Sequence, residues 1–291
     1  VNASAEVVAR ERERLGLDKP LPAQYLAYLG QAVQGRFGES LRTGRDVRQD
    51  VGAFLPATIE LASFSILLAA AGGFLIGILA VASSRFAALA RLLFVGGASV
   101  PSFLLALISI YIFYFKLGWL PISGRTSLAS APQGPTGLLL LDSIVHARLD
   151  VFADAIRHLI LPGMALALVP AVAIGRVLRS SLIEVYRSDY VRTLHAKGLA
   201  PRSILLRHAL RNALSAPLTM AGLQLGLLLG GVVIVEGIFA WPGIGLYLNQ
   251  SIAFGDLRAI AGVTLVVGAG YVVVNSMVDV AQAAADPRIR L

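Results

Sequence analysis

The 291-residue sequence contains no cysteine, only three lysines and three methionines, and few charges, with Asp, Glu, Lys and Arg making up 14% of the chain. The missing thiols exclude a disulfide-stapled secreted scaffold and any thiolate-bound metal centre. None of the lysines, Lys19, Lys116 and Lys197, follows a glycine-rich phosphate loop, which excludes ATP binding by this chain through a P-loop. His146, His158, His195 and His208 lack metal-ligand spacings, HExxH is absent, and no GxSxG marks a nucleophile. No metal, no cofactor and no catalytic residue is therefore expected. The scarcity of charge also excludes an ordinary soluble domain, in which about 25% of residues are charged.

What fills the chain instead is apolar: 56% of residues, with a mean hydropathy of +0.74. The apolar residues come in blocks, five of which reach the length of about 20 residues needed to cross a bilayer. They run approximately over 59–82, 92–115, 159–179, 213–235 and 259–280, predicting an all-α membrane protein, a polytopic helical bundle with five spans. The third block carries Pro162 and Pro170, which membrane helices tolerate when neighbours satisfy the freed carbonyls. The run from Gly137 to Val145 is too short to span, and its Asp142 argues for a loop.

The net charge is +8, from 25 basic against 17 acidic residues. In a soluble protein this would suggest nucleic acid, but here the charge sits in the connectors. Arg85 and Arg91 follow the first span without an acid, and Arg176–Arg211 holds eight basic residues against Glu184 and Asp189. The connector from Lys116 to His158 has four basic residues against Asp142, Asp150 and Asp154, and Glu236–Asp256 has no basic residue. Positive charge collects on the cytoplasmic side, which places the first pair of connectors inside and the second pair outside. Residues 1–54, polar with eight basic and seven acidic residues, are then external, and the Arg288, Arg290 tail is internal. An external amino-terminal segment without a signal peptide leads to the expectation of one further span before Val1.

Within the spans, Gly73 and Gly77, and Gly222, Gly226 and Gly230, recur every fourth residue, a spacing that lets helix backbones approach closely. Gln224, in the fourth span, is a candidate for lining a polar path. Glu60, Glu236 and Asp279 lie near predicted span boundaries, where interfacial placement is expected; a proton-coupled pump would need ionisable groups deeper in the bilayer.

The most informative stretch is Ser188–Asn212, SDYVRTLHAKGLAPRSILLRHALRN. No breaker interrupts it before Ala196, Gly198 can take the left-handed conformation that ends a helix, and Pro201 suits the first turn of another. A helix, a sharp turn and a second helix are expected. The pattern Tyr-x-x-Thr-x-x-Ala-Lys-Gly, followed by His-x-Leu-Arg-Asn, is filled by Tyr190, Thr193, Ala196, Lys197, Gly198, His208, Leu210, Arg211 and Asn212. It resembles the cytoplasmic coupling loop of the inner-membrane permease subunits of binding-protein-dependent ABC importers, in their dipeptide, oligopeptide and nickel branch. Arg192, Thr193 and Leu194 replace the Glu-Ala-Ala that opens the loop in the wider superfamily, a departure that agrees with this branch. LGLDKPLPAQYLAYL, SLRTGRDV, LPATIELA, GWLPISG, VEGIFAWPGIG and the closing DPRIR are similar to landmarks of the branch, in the same order.

The resemblance implies a type I importer permease of the bacterial inner membrane, with six spans in the whole family chain and a permease domain here over 55–291. Its coupling loop, 181–211, would dock on cytoplasmic ATPase subunits through Asp189, Tyr190, Arg192, Thr193, Ala196, Lys197 and Gly198. Two such ATPases, a second homologous permease and an extracytoplasmic substrate-binding protein are the implied partners, besides the lipid bilayer, with no nucleic acid. The external segments, 236–256 among them, would meet the binding protein, and the fourth span, with Gln224, Gly226 and Gly230, would line part of the path. Two other readings remain: a secondary transporter or channel independent of an ATPase, which would want deep ionisable residues or an inverted repeat, and a membrane-embedded enzyme, which would want a catalytic constellation.

Overall fold

The structure, a computed structural model, describes residues 18–132 and 134–285, apart from the side chains of 98, 229 and 281–285. Helix dominates: α1 (Leu21–Val33), α2 (Val47–Ala82), α3 (Ser84–Ser99), α4 (Ser102–Ser109, continued by a π-helical stretch Ile110–Lys116), α5 (Leu139–Val145) and α6 (Leu149–Tyr186). After these come α7 (Asp189–Ala196), α8 (Pro201–Ser203, then π-helical Ile204–Ala209 and Leu210–Ala213), α9 (Ser215–Ile238), α10 (Ile244–Phe254) and α11 (Leu257–Ala285). The closing DPRIR and residues 1–17 lie outside the described residues.

Three helices, α2, α6 and the Leu257–Val280 part of α11, are each long and apolar enough to cross a membrane. Helix α6 is the centre of the bundle, with 72% of its most apolar stretch buried against 28% for α2 and 17% for α11. Its two prolines, Pro162 and Pro170, sit within one continuous 38-residue helix. Helices α2 and α6 cross in backbone contact. A Cβ added to Gly73 would stand 2.7 Å from the carbonyl oxygen of Ala171, and one on Gly77 3.0 Å from that of Gly175. Only small residues permit this approach, so the Gly73–Gly77 spacing is a packing device.

The other two apolar blocks are bent. The stretch 92–115, expected as one span, is broken between Ser84–Gly97 and Ser102–Lys116 by 110°. Val100 precedes Pro101 and is extended, with ψ 122°, and Pro101 is extended in turn, with ψ 143°. A residue before proline avoids the helical region, and proline brings no N–H to continue the ladder. The fourth block bends by 56° between Ser215–Leu228 and Gly230–Ile238, where the Gly230–Gly231 pair offers little resistance. Asp142 stands in the short helix α5 rather than in a loop. It is buried, and it accepts a hydrogen bond from Thr136 Oγ1 at 2.7 Å.

At the end of the bundle away from α7, the polar segment before α2 is tied down. Ser40 Oγ donates to Asp256 at 2.6 Å, Tyr247 Oη to Asp50 at 3.0 Å, and Phe54 stacks on Tyr247 with centroids 5.1 Å apart. Burial raises the Asp256 carboxyl, but the Ser40 hydroxyl and the amides of Ala259, Arg42 and Leu41 outweigh it, so the group ends below its ordinary range. Burial pushes the Tyr247 phenol up to about 12.

Candidate functional site

The hairpin Ser188–Asn212 is built by local turn chemistry. Helix α7 ends in a Schellman motif: the N–H of Gly198 bonds to His195 O at 2.9 Å and that of Leu199 to Leu194 O at 3.3 Å. Gly198 has φ +77°, the left-handed conformation anticipated from the sequence. Ala200 is extended before Pro201, which occupies the first turn of α8. Between the limbs, the Tyr190 hydroxyl lies 3.2 Å from Nδ1 of His208, with the rings edge to face.

One face of the hairpin is rooted and the other is bare. Val191 is buried in α7, as are Ile204, Leu205 and Ala209 in α8. Leu205, Ala209 and Ala213 form a core with Leu178 and Leu182 of α6, against which Phe74, Ile78 and Val81 of α2 pack. Asp189, Tyr190, Arg192, Thr193, Ala196, Lys197 and Gly198 are all exposed. They lie at the surface of the hairpin, with Tyr190 at its edge against His208. Arg192 pairs with Asp189 at 3.1 Å, but both side chains are more than four-fifths exposed, where such a pair contributes little and leaves the charges open to another partner.

The residues expected to line a path do not share a face. Gly222 and Gly226 abut α11, where added Cβ atoms would strike Val278 and would stand 3.0 Å from Asn275 and Tyr271. Gly226 and Gly230 border a cavity of about 800 Å³ between α2, α9 and α11. Gln224, two residues from Gly226, points to the opposite side, into a cavity of about 490 Å³ walled by Ser99–Ser102 and Pro170. A third cavity, about 840 Å³, opens beside the hairpin and is bordered by Ser181, Glu184, Tyr190 and Asn212. Among the described residues no group of three or more His, Asp or Glu is gathered as a metal site.

Glu60 and Glu236, expected near span boundaries, are both buried within the protein. Glu236 Oε1 accepts from Thr58 Oγ1 at 2.6 Å, and Oε2 from the N–H groups of Gly245 and Leu246 at 2.7 and 3.1 Å. It thus holds the start of α10, where the helix dipole favours a carboxylate, and joins it to α2. Glu60 is paired with Arg125 and accepts from the N–H of Leu140 at 2.7 Å. The sequence carried one sign of the Glu236 site: Gly243 and Gly245 of the Trp-Pro-Gly-Ile-Gly run leave the space that its carboxylate fills.

A family model described as the binding-protein-dependent transport system inner membrane component matches residues 69–291. The chain belongs to that family. The chain is also 43% identical, over 97% of its length and 84% of the relative's, to a di/tripeptide transport system permease protein, DppB, of Pseudomonas aeruginosa. It is 42% identical over 99% of its length, and 85% of the relative's, to a probable D,D-dipeptide transport system permease protein, DdpB, of Escherichia coli. The dipeptide transport system permease protein DppB of Alkalihalophilus pseudofirmus is 41% identical over 99% of the chain and 87% of its own. The chain therefore has the type I permease fold of its family, and its hairpin and bent helices lie within the matched region, as does Glu236.

Proposed function

We propose that the chain is one permease subunit of an ATP-driven importer in the bacterial inner membrane, carrying peptides or similar small solutes. An extracytoplasmic binding protein delivers the solute to the side formed by residues 1–54 and 236–256. A second, homologous permease completes the path. ATP hydrolysis takes place in two separate cytoplasmic ATPase subunits, and the loop 181–211 transmits it. One observation carries this reading: the hairpin presents an exposed surface, Asp189 to Gly198, while its buried face is built into the ends of α2 and α6. A partner closing on that surface would move two helices of the bundle. The relatives' names support peptide as the solute.

The test is to purify the tagged chain from its own membranes in mild detergent and identify what accompanies it. An ATPase pair and a second permease are expected. Recovery of the chain alone, still able to take up dipeptide in liposomes, would overturn the reading in favour of a transporter that needs no ATPase.

A further inference from the structure

Two of the cavities share walls. Along α9, Ala216, Met220 and Leu223 line the cavity beside the hairpin, and Leu227 and Gly231 line the one at the α3–α4 break. These positions recur at intervals of three and four, so they lie on one helix face. On α6, Pro170 borders one cavity and Val177, Ser181 and Glu184 border the other, again on one face. The cavities are thus two widenings of one groove between α6 and α9. Sixteen residues of α9 separate Ser215 from Gly231, about 24 Å at 1.5 Å per residue. The groove therefore reaches from the hairpin into the depth of the bundle.

Its inner end is polar for a physical reason. At the 110° break the N–H that would serve the Gly97 carbonyl belongs to Pro101 and does not exist, and the start of α4 has no side-chain cap. Irregular backbone at membrane depth persists only where protein or a water-filled cavity faces it, and here Ser99–Ser102 form the cavity wall. Gln224 enters the same cavity. Its carboxamide makes one weak contact among the described residues, Nε2 to Met220 Sδ at 3.6 Å, leaving the carbonyl oxygen and further donor capacity open. The cavity across α9 is bordered chiefly by apolar residues, Gly226, Gly230, Val263, Val267 and Val274 among them, with Thr58, Thr264 and Tyr271 as its polar members.

The geometry points to a polar constriction, formed by Gln224 against the interrupted backbone of Ser99–Ser102, that hydrogen-bonds the peptide groups of the solute as it enters the α6–α9 groove. A carboxamide and a broken helix offer donors and acceptors without net charge, which is the chemistry of a peptide bond. The solute then leaves past Thr219 and Ser181, and the Gly226–Gly230 face takes no part in the path. This rests on the permease reading above.

Because the chain has no cysteine, single thiols report its surfaces without background from itself. Cysteines are placed at Ser181, Thr219 and Gln224, and at Gly230 and Val267, in the complete assembly reconstituted with ATPases, second permease and binding protein. The probe is a permanently charged methanethiosulfonate, its reaction read on this chain after separation. Thiols at 181, 219 and 224 are expected to react at least tenfold faster than those at 230 and 267. Gln224→Leu is expected to cut uptake of radiolabelled alanyl-alanine at least tenfold while leaving binding-protein-stimulated ATP hydrolysis within twofold. Faster reaction at 230 and 267, or uptake by Gln224→Leu at the parent rate, would overturn the route. A cysteine-free parent assembly that neither hydrolyses ATP nor takes up alanyl-alanine would instead remove the permease reading, and the route with it.

Discussion

Replacing Gly198 tests the hairpin at its one conformationally demanding residue. An added Cβ meets nothing within 4 Å, so a substitution there brings no clash, and the whole cost arises from φ +77°. For alanine that cost is about 1–2 kcal/mol; for a β-branched valine it is higher, and for asparagine, which tolerates the left-handed region, it is lower. The opposing anchor is small. Helix α7 buries only Val191, and burying one valine stabilises by about 1.5–3 kcal/mol at most. Strain and anchor are of similar size, so Gly198→Ala is expected to leave α7 correctly placed in a reduced fraction of molecules, and Gly198→Val in a much smaller one. The second limb, held by Ile204, Leu205 and Ala209, stays in place, and the spans are untouched. The assay is solute uptake per ATP hydrolysed by the reconstituted assembly, with hydrogen exchange of residues 189–198 as the structural readout. The expected order is Gly, then Asn, then Ala, then Val, with membrane insertion equal in all four. Gly198→Val with parental coupling and parental exchange protection would refute the reasoning.

Gly73→Ala would press a methyl against the Ala171 carbonyl and should cost about 1–3 kcal/mol by overpacking. Gly72→Ala, whose Cβ would lie an ordinary 3.8 Å from that of Ala171, should be close to neutral; equal melting temperatures in detergent would count against the α2–α6 contact. Glu236→Ala strips the acceptor from Thr58, from the buried N–H of Gly245 and from the part-buried N–H of Leu246, and a buried group left unsatisfied costs about 1–3 kcal/mol. The substitution should lower thermal stability by several degrees more than Glu236→Gln, which keeps one acceptor oxygen. Asp256 has its folded-state pKa lowered, so its stabilisation is complete above the ordinary carboxylate pKa of about 3.9 and is lost as pH falls through the lowered value. Hydrogen-exchange protection over residues 36–50, taken relative to the intrinsic rate at each pH, should therefore be unchanged from pH 7 to 5 and fall below about pH 4, whereas Asp256→Asn should show the lowered protection already at pH 7.

The hairpin was legible because everything that shapes it is local: a left-handed glycine, an extended residue before a proline, and a helix ended within one turn of Gly198. The membrane class was equally open, since composition alone forces it. The break at Pro101 was missed because counting apolar residues measures length without direction, although Val100–Pro101 carried the sign of it. The partners of Glu60 and Glu236 were hidden for another reason. Distance from a span boundary says nothing about a partner such as Thr58, which lies 178 residues from Glu236 along the chain, and burial of a carboxylate is decided by such partners. Gln224 stood out as a polar residue in an apolar block and was grouped with Gly226 and Gly230, which a helix of 3.6 residues per turn sends to another face.

The crossing of α2 and α6 has a mechanical side. Two helices whose backbones touch at Gly73, Gly77 and Gly175 have no layer of side chains between them to flex, and sliding one along the other would drive Cβ atoms into carbonyl oxygens. The pair therefore behaves as a strut. A load applied at the far tip of α7 passes through Leu205 and Ala209 into both members at once, and give is expected at the bends, at Val100–Pro101 and at Gly230–Gly231. Stiffness and compliance are in this way allotted to different helices, with the two soft joints bordering one cavity beside a rigid shaft.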